Sequence, residues 1–262
     1  MIACIRRIED RNLIDTAHRA LAQCDAVFRF ARKRKYVKHN PIADLKGPDT
    51  LPPVRVKHHA GITDPVKLGA LLRALDACAA SFVVQCALRL LPLVFVRPGE
   101  LRHTRWEECN LDGKEPELRI PAERMKMREQ HVVPLSTQAV EILRALQPLT
   151  GPTGYVFPSI RSAARPMSET TMNVALRALG YGKNDQTPHG FRSTASTLLN
   201  EQGWHKDAIE RQLAHGERDK VRAAYNSAEH LPLRRKMMQA WADYLDGLRA
   251  GGNVLTFKNR AG

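Results

Sequence analysis

Between residues 6 and 37 the apolar positions Ile8, Leu13, Ile14, Ala17, Leu21, Val27, Phe28 and Ala31 recur at three- and four-residue steps. That spacing gives a helix one buried face and predicts one long or two short helices. The pattern runs into the basic residues Arg29, Arg32, Lys33, Arg34, Lys35 and Lys38, then into Asn40-Pro41 and a Gly/Pro-bearing stretch over 46–53 that reads as a linker. So short a helical segment cannot bury a core of its own. It is expected either to be the end of a larger, truncated helical module or to pack on the rest of the chain. A second unit starts at Thr63-Asp64-Pro65, with Thr63 the expected cap and Pro65 in the first turn. Leu68, Leu71, Leu72 and Leu75 continue that helix, and the nearly unbroken apolar run over 81–96 predicts a helix buried on most sides, stopping at Arg97-Pro98-Gly99.

Beyond it the pattern predicts a short helix over 100–105 and then a change of period. Asn110-Leu111, the run over 117–121 and the run over 131–135 read as short strands of one antiparallel sheet, the last two joined across 122–130. Helices follow: an amphipathic one over 138–146, one capped by Ser168 and closed by Gly180, one opened by Thr187-Pro188 and ending near Gly203, short ones over 206–214 and 219–226, and a last one over 233–248. Trp204 and Trp241 are expected core anchors. The fold class is therefore mainly α with a small antiparallel β-sheet, an α+β architecture, and no internal repeat is visible.

Composition adds a partner. A hydrophobic fraction of 43% with only 6% aromatics suits a helical globular protein, whereas 41 Lys and Arg against 27 Asp and Glu leave a formal charge of +14. A polyanion would account for that excess, as would an acidic protein or a mere solubility surplus. The five cysteines are scattered, with no C-x-x-C pair, so neither disulfides nor a zinc site is expected and a reducing, cytosolic compartment fits. The N-terminus lacks a secretory signal, and no apolar run reaches the roughly 18 residues that a membrane span needs. Acidic residues are dispersed without metal-ligand spacing, so no metal or other cofactor is called for. His58, His59, His103, His205 and His230 show no partner spacing and read as surface or structural.

Five segments stand out: Arg97-Pro98-Gly99-Glu100-Leu101, Lys126 ahead of a V-V-P-L-S run, His189-Gly190-Phe191-Arg192, Leu213-Ala214-His215, and Tyr225 ten residues after His215. Together, over about 63–245, they resemble the tyrosine recombinases, in particular the phage-type integrases of prophages and genomic islands. The resemblance implies the DNA breaking-rejoining catalytic fold and a site made of Arg97, Lys126, His189, Arg192, His215 and Tyr225. It implies double-stranded DNA as substrate, a homotetramer on two sites, a possible accessory DNA-bending protein, and a place at the bacterial nucleoid. It divides the chain into the last helices of a core-binding DNA clamp (1–45), a linker (46–62), a catalytic domain (63–250) and a tail (251–262).

The chemistry needs these residue types. Attack of a tyrosine on a phosphodiester loads negative charge onto the nonbridging oxygens, and the guanidinium forks of Arg97 and Arg192 match that planar acceptor pattern. A phenol with pKa about 10 is a poor nucleophile near neutral pH and needs a base or a strongly positive pocket. By resemblance His189 accepts its proton, His215 donates to a phosphate oxygen, and Lys126 protonates the departing 5′ oxygen. The 3′-phosphotyrosine would store the bond energy, so rejoining would need neither metal nor ATP.

Each residue also has an ordinary reading. Arg97 could be a cation at a helix C-terminus, Lys126 part of a solvated basic loop with Arg124, Arg128 and His131, His189 and His215 helix caps, and Tyr225 a packed aromatic. Arg124 or Arg128 could be the phosphate contact in place of Lys126. Glu100 is expected to orient one of the arginines by a salt bridge. Two further activities remain open: a type IB topoisomerase that only nicks and closes, and a truncated DNA-binding remnant without turnover.

Overall fold

The computed structural model describes residues 2–45, 50–54, 60–125, 127–214 and 230–251. The chain divides into two compact units, Met1–His58 and His59–Gly262. In the first, α1 (Ile2–Asp10) and α2 (Ile14–Lys33) are separate helices because the chain turns at Asn12, whose φ of +58° suits an asparagine. Ile5, Ala17, Leu21, Ile42 and Leu51 close a small core of its own, which corrects the expectation that this segment could not bury one. Asp25 is buried there and bonds Asn40 (2.8 Å) and Arg29 (3.1 Å). The basic residues from Arg29 to Lys38 are all exposed.

The second unit starts at α3 (Pro65–Asp76). Asp64, not Thr63, is its cap: the carboxylate accepts from the Lys67 amide at 2.8 Å. The buried α4 (Phe82–Val94) follows, then α5 (Pro98–Arg102), which stops short of the expected 105 and gives way to a 3-10 turn over Trp106–Glu108. Strands β1 (Cys109–Asn110), β2 (Glu117–Ile120) and β3 (His131–Pro134) form an antiparallel sheet in that order, with Leu118 opposite Val133 and Ile120 opposite His131. After α6 (Thr137–Thr150), a hairpin of β4 (Pro158–Ser159) and β5 (Ser162–Pro166) appears that the hydrophobic pattern did not predict. Its strands are short, rich in proline and alanine, and partly or fully exposed, so no alternation marks them. Next come α7 (Thr171–Ala178), α8 (Gly190–Glu201), α9 (Lys206–Gln212) and α10 (Leu231–Arg249). Thr170, not Ser168, occupies the N-cap of α7, while the Ser168 hydroxyl bonds those of Thr170 and Thr171. The helix expected over 219–226 lies outside the described residues.

One large core fills this unit, with α4 packed on by α3, α6, α7, α8 and α10. Trp241 is fully buried in it; Trp204 only packs against its edge. Helix ends leave carbonyls that helical bonds cannot reach, and at α4 these carbonyls organise the unit. Phe95 turns left-handed (φ +37°) and its amide returns to the Leu91 carbonyl. The Pro92 carbonyl accepts from the Trp241 indole (2.8 Å), the Val94 carbonyl from the Gln212 amide (3.4 Å) and the Phe95 carbonyl from Arg192 (2.8 Å). Three later helices are thus tied to one helix end. Likewise α10 closes onto α3: Arg73 donates to the carbonyls of Leu248 and Arg249, and a Cβ at Gly69 would lie 2.4 Å from the Leu248 carbonyl oxygen. Among the described residues no helix is long and apolar enough to cross a membrane.

Candidate active site

Arg97 sits at the N-cap of α5, after the left-handed turn at Phe95, and not at the end of α4. Reading it as a C-terminal helix cation is therefore ruled out. Pro98 fixes the first turn, and Glu100 reaches back to take the Arg97 amide (2.9 Å) and its guanidinium (2.6 Å). One buried carboxylate thereby sets both the backbone and the side chain of Arg97, as its sequence spacing suggested. The other arm of the fork donates to the Ala214 carbonyl at 3.1 Å.

Arg192 is the third residue of α8 and is buried. Its fork donates to the carbonyls of Phe95 (2.8 Å) and Leu213 (2.5 Å). Burial, and secondarily the charge of Arg97, lower its pKa to about 10, so it remains a cation at neutral pH. The start of α8 is placed by glycine. A Cβ on Gly190 would come within 1.8 Å of the Ala60 carbonyl oxygen, and one on Gly61 within 2.4 Å of the Gly190 oxygen. Two backbones meet there with no room for a side chain, and the bonds from the Thr187 amide to the Ala60 carbonyl and from the Ile62 amide to Gln186 fasten them.

His189 is the N-cap residue of α8 and lines a cleft of about 800 Å³ together with Arg97, Arg102, His103, Arg124, Met125 and Glu169. Arg124 also holds the His103 carbonyl and Glu108, so its fork is partly committed; Arg128 is exposed. Lys126, His215 and Tyr225 lie outside the described residues. Of the six predicted site residues, Arg97 and His189 share the cleft, and Arg192 backs it from within the core. The described contacts use two of the five N–H donors of each guanidinium. Two neighbouring guanidiniums, one lining the cleft and one buried behind it, suit this wall to a tetrahedral oxyanion such as a phosphate.

The end of α9 shows a device that the sequence reading missed. Three successive carbonyls, Gln212, Leu213 and Ala214, accept from His131 (3.1 Å), Arg192 (2.5 Å) and Arg97 (3.1 Å). A carbonyl only accepts, so Nε2 of His131 carries the proton. Burial above all, and next the charges of Arg234 and Arg211, push the His131 pKa down to about 3. It is neutral and buried, which corrects its placement in a solvated basic loop. Arg234 clasps the Gln212 side chain through Nε (3.1 Å) and Nη2 (2.6 Å) and reaches the Val132 carbonyl at 2.5 Å. A signal for Arg234 was present: it stands three, four and seven residues before Met237, Met238 and Trp241, on the apolar face of α10, where a charge requires partners. His205 and His230, read as unrelated, stack with ring centroids 5.4 Å apart.

A family model described as the phage integrase family matches residues 63–230, and one for the phage integrase central domain matches residues 1–48. The integrase of Enterobacteria phage P4 is 40% identical over 94% of this chain and 58% of its own length. The prophage integrase IntS of Escherichia coli K12 is 37% identical over 94% of this chain and 63% of its own. The chain thus spans about three fifths of these relatives. A solved lambda integrase tetramer bound to a Holliday junction superposes with a TM-score of 0.62 at 18% identity, covering 84% of this chain and 64% of that one. The shared fold is that of tyrosine recombinase catalytic domains.

Proposed function

The chain belongs to the phage integrase family, and from that premise we propose that it acts in site-specific DNA recombination, cutting and rejoining strands through a covalent bond to Tyr225. The observation that carries the proposal is the convergence of Arg97, Arg192 and His189 on one basic cleft and its floor. In the step proposed, the Tyr225 oxygen attacks phosphorus, its proton passes to His189, and the bond to the 5′ oxygen breaks as Lys126 supplies that oxygen with a proton. Arg97, Arg192 and His215 hold the nonbridging oxygens. Such donors, aimed at developing charge, are each worth about 10²–10³ in rate. The energy of the broken bond stays in the 3′-phosphotyrosine, so the reverse attack reseals DNA without ATP. Paired guanidiniums supply the charge that divalent ions supply to many nucleases, which supports a reaction without metal.

Residues 1–45 are proposed as the end of a DNA-gripping module, 46–62 as linker, 63–250 as the catalytic domain and 251–262 as a tail. The exposed basic run from Arg29 to Lys38 supports phosphate contacts by the first of these. The substrate is duplex DNA carrying attachment sites, and the tetramer formed by lambda integrase on a Holliday junction supports a homotetramer as the working assembly. An accessory bending protein and a place on the nucleoid in the cytoplasm complete the proposal.

The test is a suicide substrate nicked beside the scissile phosphate, incubated in EDTA. A covalent protein–DNA adduct is expected, and Tyr225→Phe should bind DNA normally and form none. A requirement for divalent ions, or an adduct that survives Tyr225→Phe, overturns the chemistry. Relaxation of supercoils without exchange between two defined sites would mark a nicking-closing enzyme instead; binding without any adduct would mark a remnant.

A further inference from the structure

Away from the cleft, His205, Asp207 and His230 bring one ligand atom each to within 4.8 Å of one another. His205 is the N-cap of α9, Asp207 lies in its first turn, and His230 is the N-cap residue of α10. None of the three belongs to the core of the unit, and the mechanism above uses none of them. We propose that they form a binding site for a zinc-class divalent transition metal, which would bridge the starts of α9 and α10.

The donor set and the geometry both point to that class of ion. Two imidazoles and one carboxylate suit Zn²⁺, Co²⁺ or Ni²⁺, whereas Mg²⁺ and Ca²⁺ take oxygen ligands. Two imidazoles held at about 2.0–2.1 Å on a tetrahedral ion put their ring centroids roughly 5 Å apart, and those of His205 and His230 stand 5.4 Å apart. One ring nitrogen of each histidine and a carboxylate oxygen of Asp207 lie within 4.8 Å of one another, so rotation of the side chains brings them onto one ion. Nδ1 of His205 now accepts a long 3.3 Å bond from the Asp207 amide. Binding through Nδ1 gives up that weak bond, and binding through Nε2 moves the ring proton to Nδ1 and gives it up as well. Water fills the fourth position. Three partly open ligands predict a dissociation constant on the order of micromolar, far weaker than a closed structural site.

The site has a consequence for the tyrosine. His230 follows Tyr225 by five residues in the sequence. An ion that ties His230 to α9 fixes the chain close in sequence to the nucleophile, so Zn²⁺ is expected to slow the Tyr225-dependent step. This consequence rests on the function proposed above; the binding site does not.

Titration of the full chain with Zn²⁺ against a chromogenic chelator tests the site, because thiols also take up zinc and the variants therefore decide. The parent should bind one ion that His205→Ala and His230→Ala each weaken at least about tenfold, and Co²⁺ should give the visible spectrum of a four-coordinate N/O site. Variants that bind like the parent, or a parent with no affinity below millimolar Zn²⁺, overturn the proposal. In the adduct assay, micromolar Zn²⁺ should slow the parent several-fold and leave His205→Ala unaffected; equal slowing of both sinks the regulatory consequence. A chain that binds zinc at these residues but never forms an adduct sinks the recombinase reading and leaves the site standing.

Discussion

The two arginines of the cleft are supported in opposite ways. Arg97, a quarter exposed, is braced by the carboxylate of Glu100. Arg192 is buried, and the bonds of its fork go to the carbonyls of Phe95 and Leu213, which are dipoles without net charge. A buried cation is costly unless its donors are satisfied, and the free carbonyl ends of α4 and α9 satisfy it with their negative poles. The difference teaches that one cation of the site is fixed by an opposite charge and the other by the dipoles of two helix ends.

The strongest way to break this comparison is Arg192→Lys. An ammonium cannot span the two carbonyls and a phosphate, so adduct formation should fall by about 10²–10³ in single-turnover assays. A loss below tenfold would mean that the fork geometry is unimportant. Gly190→Ala attacks the same wall from behind. Its Cβ meets the Ala60 carbonyl, so a loss of about 2–3 kcal/mol in urea unfolding is expected; a fully stable variant would refute the close approach as a constraint.

His131 sharpens the comparison through pH. Its proton affinity is suppressed on folding, from the ordinary 6.5 to about 3, so below pH 6.5 the unfolded chain binds the proton first. Its contribution to stability is whole above pH 6.5 and is lost progressively as pH falls toward 3, by at most about 1.4 kcal/mol per unit. His131→Gln should flatten that slope between pH 6.5 and 5 by up to about 2 kcal/mol in denaturant titrations. Parallel slopes for variant and parent would contradict a neutral buried imidazole. The smallest effect is expected from Glu100→Gln, which keeps one of the two acceptor oxygens and removes the charge. Adduct formation should drop about tenfold while non-covalent DNA affinity, measured by fluorescence anisotropy, holds or rises. A loss as large as that of Arg97→Ala would give the carboxylate a direct role.

The helical framework was legible because apolar periodicity records burial, and Leu68, Leu71, Leu72 and Leu75 or the run through α4 leave little choice of period. The bond between Arg97 and Glu100 was legible for a local reason, a three-residue spacing at a helix start. What escaped was non-local or polar. The β4–β5 hairpin carries Ile160 at its tip, 94% exposed, and no alternation marks its strands. The partnership of Gln212 with Arg234 and the stacking of His205 on His230 join residues 22 and 25 positions apart in the chain. Only the packing of α10 on α9 brings them together. The cap of α3 turned on a choice between neighbours, Thr63 and Asp64, that spacing alone does not make.

The seam between α3 and α10 bears on the birth of the molecule. The bond from Arg73 to Leu248 links residues 175 positions apart, and Trp241 seals the end of α4 from an even later point in synthesis than Gln212. While a ribosome is still upstream of Leu231, the greasy flanks of the early helices have no lid, and a nascent chain is exposed to aggregation and chaperones. The unit therefore completes its folding late, and a message cut short inside α10 yields a polypeptide prone to degradation in place of a half-built catalytic unit.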